Sequence, residues 1–307
     1  MDYKAWKHTW IPLAALILIW GLSWIVYKSA LTGNPPLLFA GLRSLAGGIV
    51  TALYLLPAIR EVRWRKNAKR YLISTLISVV MFFGFQSFGL LYLPGGLFSV
   101  LVYLQPILLS IFAWMWFGER MTWLKFAGLL SGFGGIAVIS ADSFTGDISL
   151  IGVLLGVGTA LAWALGTIYV KKESSHVDPL WMVAIPNLIG GAVLTGIGAV
   201  TEGFGSIRWN AEFIIGLAFG AFLATSLAFA IYYKLVSRGE ASRVAAFTFL
   251  VPMVSVVSGT LLLNEPITLT LLAGLIMIVL SIVLVNRPAR PVRQEAGQQV
   301  PGPFTGS

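Results

Sequence analysis

The sequence predicts an all-α, polytopic membrane protein of ten transmembrane helices built as a five-plus-five inverted repeat. Three observations predict it: an apolar composition, ten apolar runs of spanning length, and an echo between the two halves of the chain. Of 307 residues, 57% are hydrophobic and only 11% charged, with mean hydropathy +0.86. Soluble domains carry roughly 25% charged residues, so lipid is the expected solvent for most of this chain.

A spanning helix needs about 20 apolar residues. The runs fall at roughly 10–31, 36–56, 71–92, 96–117, 122–141, 148–170, 179–200, 211–235, 242–263 and 268–286. The first run continues past Trp20 to about Leu31 and lacks a signal-peptide cleavage pattern. An outer-membrane barrel would alternate apolar and polar residues. Segments such as "LLAGLIMIVLSIVLV" do not.

Basic residues set the expected orientation. With the N-terminus inside, all but Lys28, Arg43 and Arg208 of the 21 Lys and Arg fall in cytoplasmic segments, notably the "REVRWRKNAKR" loop at 60–70. Both termini are then cytoplasmic and the membrane is the inner, cytoplasmic one. This asymmetry accounts for the net charge of +9 without nucleic acid. The tail 287–307, rich in Pro, Gly and Gln, reads as disordered.

The echo is at a shift of 143 residues. "WGLSWIVYK" at 20–28 becomes "WALGTIYVK" at 163–171, and "LAGG" at 45–48 becomes "LIGG" at 188–191. At a shift of 146, "YLQP" at 103–106 becomes "FLVP" at 249–252, and Glu119 becomes Glu265. Residues 1–143 and 144–286 therefore read as two repeats. Five helices are an odd number, so the second repeat crosses in the opposite sense, as in secondary transporters.

These residues resemble the EamA type of the drug/metabolite transporter superfamily. The likeness is carried by Trp20, "PPLLFAGLRSLAGG" with Arg43, "YLQPILLSIFAWMWFGERMT" and "FLVPMVSVVSGTLLLNEPIT". Within it, the chain looks most like the YddG-type aromatic amino-acid exporters. That resemblance implies export of amino acids such as Phe, Trp and Tyr, with an amino acid as the small-molecule substrate; the alternatives are an exporter of other small metabolites or drugs, or a channel-like pore.

The residues offer a site of their own accord. Trp20, Ser23, Trp24, Tyr27 and Lys28 share one face of the first helix; Thr159, Trp163, Gly166, Thr167 and Lys171 share one face of the sixth. Trp20 and Trp163 fall near the bilayer midplane, where an interfacial anchor would not sit. Two readings fit: walls of a polar cavity, or packing between helices. Phe82 and Gln86 on the third helix and Tyr103 on the fourth add aromatic and polar groups, as do Tyr232 and Thr248 on the eighth and ninth. Such an interior suits amphipathic solutes. Asn187, beside Pro186 on the seventh helix, is the preferred polar ligand there. Arg43 lies about two turns inside the second helix, where a buried cation is costly and usually functional. It fits a substrate carboxylate or a fixed structural bond.

No Asp or Glu falls in the middle of a run, and the two His lie near loops. Metal sites and Ser/His/Asp catalysis have no basis, so no enzyme activity and no cofactor is expected. Without a mid-membrane carboxylate, facilitated export is expected rather than proton exchange. Glu119 and Glu265 read as structural turn residues. The Gly128/Gly132 pair reads as packing within one chain, consistent with a monomer.

Overall fold

The computed structural model describes residues 10–93, 95–139, 141, 149–263 and 269–286. The tail from 287, Glu265, and most of the expected loop at 141–149 lie outside them, as does the side chain of Trp24.

The helices are α1 (Trp10–Ala30), α2 (Pro36–Tyr54), α3 (Trp64–Gly89), α4 (Gly95–Val102 and Gln105–Phe117) and α5 (Trp123–Ile139). They continue as α6 (Leu150–Glu173), α7 (Trp181–Thr201), α8 (Ala211–Arg238), α9 (Ala241–Phe247 and Leu250–Leu263) and α10 (Leu269–Asn286). Seven are long and apolar enough to cross a membrane; described parts of α5, α9 and α10 are shorter apolar helices.

Local chemistry starts and stops these helices. Pro36 opens α2, where its fixed φ and missing N–H cost nothing, and the Glu202 carboxylate accepts the N–H of Leu37 and Leu38. Ser149 caps α6 through the N–H of Gly152, and Asn210 caps α8 through that of Phe213. Gly118, at φ 63°, ends α4 in the left-handed conformation that glycine adopts freely. The basic run at 60–70 differs from the expected loop. After a short 3-10 segment at Leu56–Val62, the chain is already helical from Trp64. Charge ends an apolar run but not a helix, and Arg65, Lys66, Lys69 and Arg70 are good helix formers.

Two helices widen into π turns: α3 at Leu76–Met81 and α8 at Phe219–Leu227. Their first residues are separated by the same 143 positions as the two tryptophans. The contacts repeat as well. α1 packs on α8 and α9 as α6 packs on α3 and α4, and α2 lies on the π turn of α8 as α7 lies on that of α3. α2 lies along α7 and α5 along α10. Glycine lets the first pair approach: a Cβ on Gly191 would fall 2.3 Å from Leu45 N, and one on Gly48 would fall 2.6 Å from Leu188 N. In the second pair, Gly128 meets Leu284 and Gly132 meets Phe249 and Ser281. The Gly128/Gly132 pair therefore packs inside the chain. α5 and α10 turn Trp123, Leu130, Leu272, Ile276 and Val283 outward, the face lipid covers in a membrane.

The helix ends sort into two groups. Glu119, Lys171, Gly239 and Ala241 meet at one, where Arg70 also reaches Glu173. At the other, Asn34 accepts the N–H of Arg208 and Glu202 caps α2.

Candidate functional site

α1, α3, α6 and α8 converge on a cluster of rings. Trp20 and Trp163 approach with centroids 5.7 Å apart and planes at 77°. Trp20 also meets Phe229 at 5.1 Å and Tyr232 at 5.3 Å. Trp163 meets Phe82 at 5.7 Å and Tyr232 at 6.2 Å. Phe83 extends the cluster to Phe229 at 6.5 Å. These edge-on and tilted pairs are the geometry aromatic quadrupoles favour.

The polar atoms among the rings are unevenly satisfied. The Trp20 indole N–H donates to the Ala224 carbonyl at 3.1 Å, within the π turn of α8. The Trp163 indole N–H is buried with no partner. Gln105 is fully buried and donates to the Tyr232 hydroxyl at 3.2 Å, while its Oε1 is unpaired. Ser78 Oγ is also buried, makes no hydrogen bond of normal geometry although the Tyr233 hydroxyl is nearby, and sits against Gly166, one turn from Trp163. Buried polar groups are normally hydrogen-bonded. A donor and two potential acceptors without partners, beside rings, form a surface that an amphipathic guest would complete.

Four of the expected site residues meet here: Trp20, Phe82, Trp163 and Tyr232. Arg43 joins at one remove, its guanidinium carbon 4.6 Å from the Phe83 ring centroid. Tyr103 is buried on α4. Asn187 lies at the α2–α7 crossing, donating to Val183 O at 2.9 Å with Oδ1 unpaired. Thr248 turns its hydroxyl to its own helix, onto Ala245 O at 2.7 Å. Gln86 is half-buried and makes no side-chain hydrogen bond among the described residues. Gln105 escaped the sequence reading, although a glutamine between Tyr103 and Pro106 in an apolar run was a visible signal. Phe83 also escaped; next to Phe82 in sequence, it is turned inward by its contact with Phe229 on α8.

A second cluster closes one end of the bundle. The Glu119 carboxylate accepts from Lys171 Nζ at 2.8 Å and from the N–H of Ala241 at 2.8 Å. It also binds the Ser242 hydroxyl and lies 3.8 Å from Lys125 Nζ. Lys171 donates to Gly239 O at 2.8 Å as well. Burial pushes the Glu119 carboxyl up, but the hydrogen bonds of Lys171 and Ser242, the Lys171 charge and the Ala241 N–H outweigh it and hold it below the ordinary value. The tie fastens the start of α9 to the ends of α4 and α6. A cavity of about 260 Å³ lies beside it, lined by Arg120, Lys125, Glu240 and Arg243 among others. The expected turn role of Glu119 is thus part of a larger one.

An all-helical membrane bundle with repeat-related tryptophans facing one another, and no cluster of metal-ligating side chains among the described residues, has the features of a solute carrier. The chain belongs to the EamA-like transporter family, whose description matches residues 8–141 and again 150–287. It is 47% identical over 289 residues, 94% of this chain and 95% of the relative, to the "Uncharacterized transporter YvbV" of Bacillus subtilis (strain 168). It is 29% identical over 280 residues to a "Probable amino-acid metabolite efflux pump" of Escherichia coli (strain K12), covering 86% of this chain and 89% of that one. A solved crystal structure at 20% identity superposes with a TM-score of 0.79, covering 91% of this chain and 96% of its own. The family and these names indicate transport rather than catalysis, in a multi-pass membrane protein.

Proposed function

We propose that this transporter exports neutral amino acids, aromatic ones among them, across the cytoplasmic membrane by alternating access. The observation that carries the reading is the meeting of Trp20 and Trp163 from equivalent helices, with unpaired polar atoms beside them. Rings suit an apolar side chain, and the free indole N–H and amide oxygen suit a polar headgroup. Trp20, Trp24, Phe82, Gln86, Tyr103, Trp163, Asn187, Tyr232 and Thr248 are the proposed substrate contacts. The efflux-pump relatives add weight to amino acids as the substrate class.

In this reading the chain is a monomer of ten spans, with repeats at 1–143 and 144–286; the tail at 287–307 lies outside the described residues. The second repeat is inverted, and both termini are cytoplasmic. The sorting of helix ends into two groups supports the inversion. The end that gathers Arg70, Lys125, Lys171 and Arg243 supports the orientation. The Glu119 tie closes that end while the rings touch at the centre. Export is driven by the amino-acid gradient, because no carboxylate among the described residues stands beside the rings.

The test is transport of labelled Phe and Thr by purified protein in proteoliposomes, with and without a pH gradient, for the wild type and Trp163→Ala. We expect export without a pH gradient. We also expect a lowered melting temperature, since a buried ring is truncated, and, per folded protein, loss of Phe transport several-fold greater than loss of Thr transport. Equal loss for both solutes per folded protein would reduce the tryptophan to packing. Accumulation driven by a pH step alone would overturn the proposed coupling.

A further inference from the structure

Arg43 stands apart from the ring cluster and is differently equipped. Its side chain is buried, with the residue 6% exposed. One Nη donates to the Tyr27 hydroxyl at 3.0 Å. The guanidinium carbon lies 4.7 Å from the Tyr27 ring centroid and 4.6 Å from that of Phe83. Gly220 on α8 makes the room: a Cβ there would fall 2.3 Å from Arg43 Cδ. Arg43 Nε is buried and bonded to nothing, and no carboxylate among the described residues is within ion-pair distance.

An arginine keeps its charge at any physiological pH. A desolvated cation is strongly unfavourable unless paired, and two aromatic faces offset only part of that. A neutral hydroxyl does not supply the missing charge. The geometry therefore describes one half of an ion pair, with the guanidinium plane held by rings and its Nε edge unused. That fork matches a carboxylate.

The charge at this centre has one sign only. Of the described carboxylates, Glu119, Glu173, Glu202 and Glu240 are engaged at the helix ends, Asp178 accepts the N–H of Leu180, and Glu61 and Glu212 stand in the 3-10 segment before α3 and in the first turn of α8. None is positioned to neutralise a substrate ammonium. Tyr27, which holds Arg43, lies seven residues beyond Trp20 on α1, about 10 Å along the axis. Phe83 and Phe229 bridge the interval to Trp20.

We infer that Arg43, clamped between Tyr27 and Phe83, is the carboxylate subsite of the transport path, and that a carboxylate is the obligatory headgroup of the substrate while the α-ammonium is dispensable. The inference rests on the proposed export of amino acids and sharpens it into a class: organic carboxylates with an apolar or aromatic body.

The test uses three probes on the full-length protein in detergent: L-tryptophan, L-tryptophanamide and indole-3-propionate. Binding is read as the shift in melting temperature at graded concentration, and transport as competition for labelled tryptophan in proteoliposomes. We expect L-tryptophan and indole-3-propionate to act at similar concentrations and the amide to need at least tenfold more. Arg43→Gln should bring the ratio of amide to acid close to one; Arg43→Lys, which keeps charge but loses the fork, should fall between. An amide as effective as the acid on the wild type overturns the inference, as does an Arg43→Gln protein that loses all three probes in proportion. If Arg43→Gln does not fold, the wild-type ratio still decides. If the wild type transports no amino acid yet binds both acids and not the amide, the export reading fails and the carboxylate subsite stands.

Discussion

The two halves of the chain meet along several helices, and two of those meetings differ in kind. At the α2–α7 crossing the meeting is even-handed: Gly48 and Gly191, equivalent by the 143-residue shift, each press against the opposite backbone. Where Trp20 of α1 meets Trp163 of α6, ring to ring, the partners are again equivalent, but their polar atoms are not. Trp20 donates to Ala224, whereas Trp163 donates to nothing. Arg43 is more lopsided still, for its counterpart in the second half is Pro186. Symmetry is kept where only packing matters. It is broken where a guest with a polar and an apolar end would have to be held in one orientation.

The largest effect should come from the even-handed crossing. Gly48→Leu and Gly191→Leu each place a side chain where a backbone stands below 3 Å from a bare Cβ. Overpacking costs typically about 1–3 kcal/mol where side chains can shift; here backbone atoms 2.3–2.9 Å from the added Cβ must yield, so the two helices are forced apart and the cost should exceed that of losing one ion pair. Both variants should lose most of their monodisperse yield, and to a similar degree. A large difference between them would break the even-handedness.

Next comes the Glu119 tie, which belongs to one end only among the described residues. Removing one member of a buried ion pair costs about 3–5 kcal/mol, and the Glu119 side chain is 7% exposed. Glu119→Ala should therefore lower the melting temperature clearly and free the α9 start, seen as faster hydrogen exchange at Ala241 and Ser242. Because the folded carboxyl is held below its ordinary value, its stabilisation is complete above the unfolded pKa. It is lost as pH falls through the depressed folded one. The wild-type melting temperature should hold through neutral pH and fall in acid, and the fall should be smaller in Glu119→Ala.

The sequence was most informative where the repeat itself spoke. Trp20, Trp163 and the α2–α7 glycines were visible because one half predicted the other. Phe82 and Tyr232 were visible as aromatic residues within apolar runs. Phe83 was passed over although it stands next to Phe82: adjacent residues on an α-helix point about 100° apart, and what turns Phe83 inward is Phe229 on a distant helix. Gln86, one turn beyond Phe82, is only half-buried. The Glu119 tie depends on a turn, a helix end and a loop start more than 50 residues apart, which no local pattern encodes.

The smallest effect is the sharpest on the central asymmetry. Trp20→Phe and Trp163→Phe remove the same atoms from equivalent positions and keep an aromatic face. In Trp20→Phe a made hydrogen bond to Ala224 is lost, worth about 0.5–1.5 kcal/mol net. In Trp163→Phe no bond is lost, and a buried N–H without a partner, itself a cost of about 1–3 kcal/mol, disappears. The melting temperature should fall for Trp20→Phe and stay level or rise for Trp163→Phe. Function should run the other way. If the Trp163 N–H waits for a polar group of the solute, Trp163→Phe should weaken tryptophan binding by about three- to tenfold, the loss of one hydrogen bond. Trp20→Phe should leave binding within about twofold. Thermal shift without ligand and with graded tryptophan measures both quantities on the same samples. Equal melting temperatures and equal binding in the two variants would mean that the indole nitrogens are interchangeable, and that the asymmetry at the centre has no part in recognising the solute.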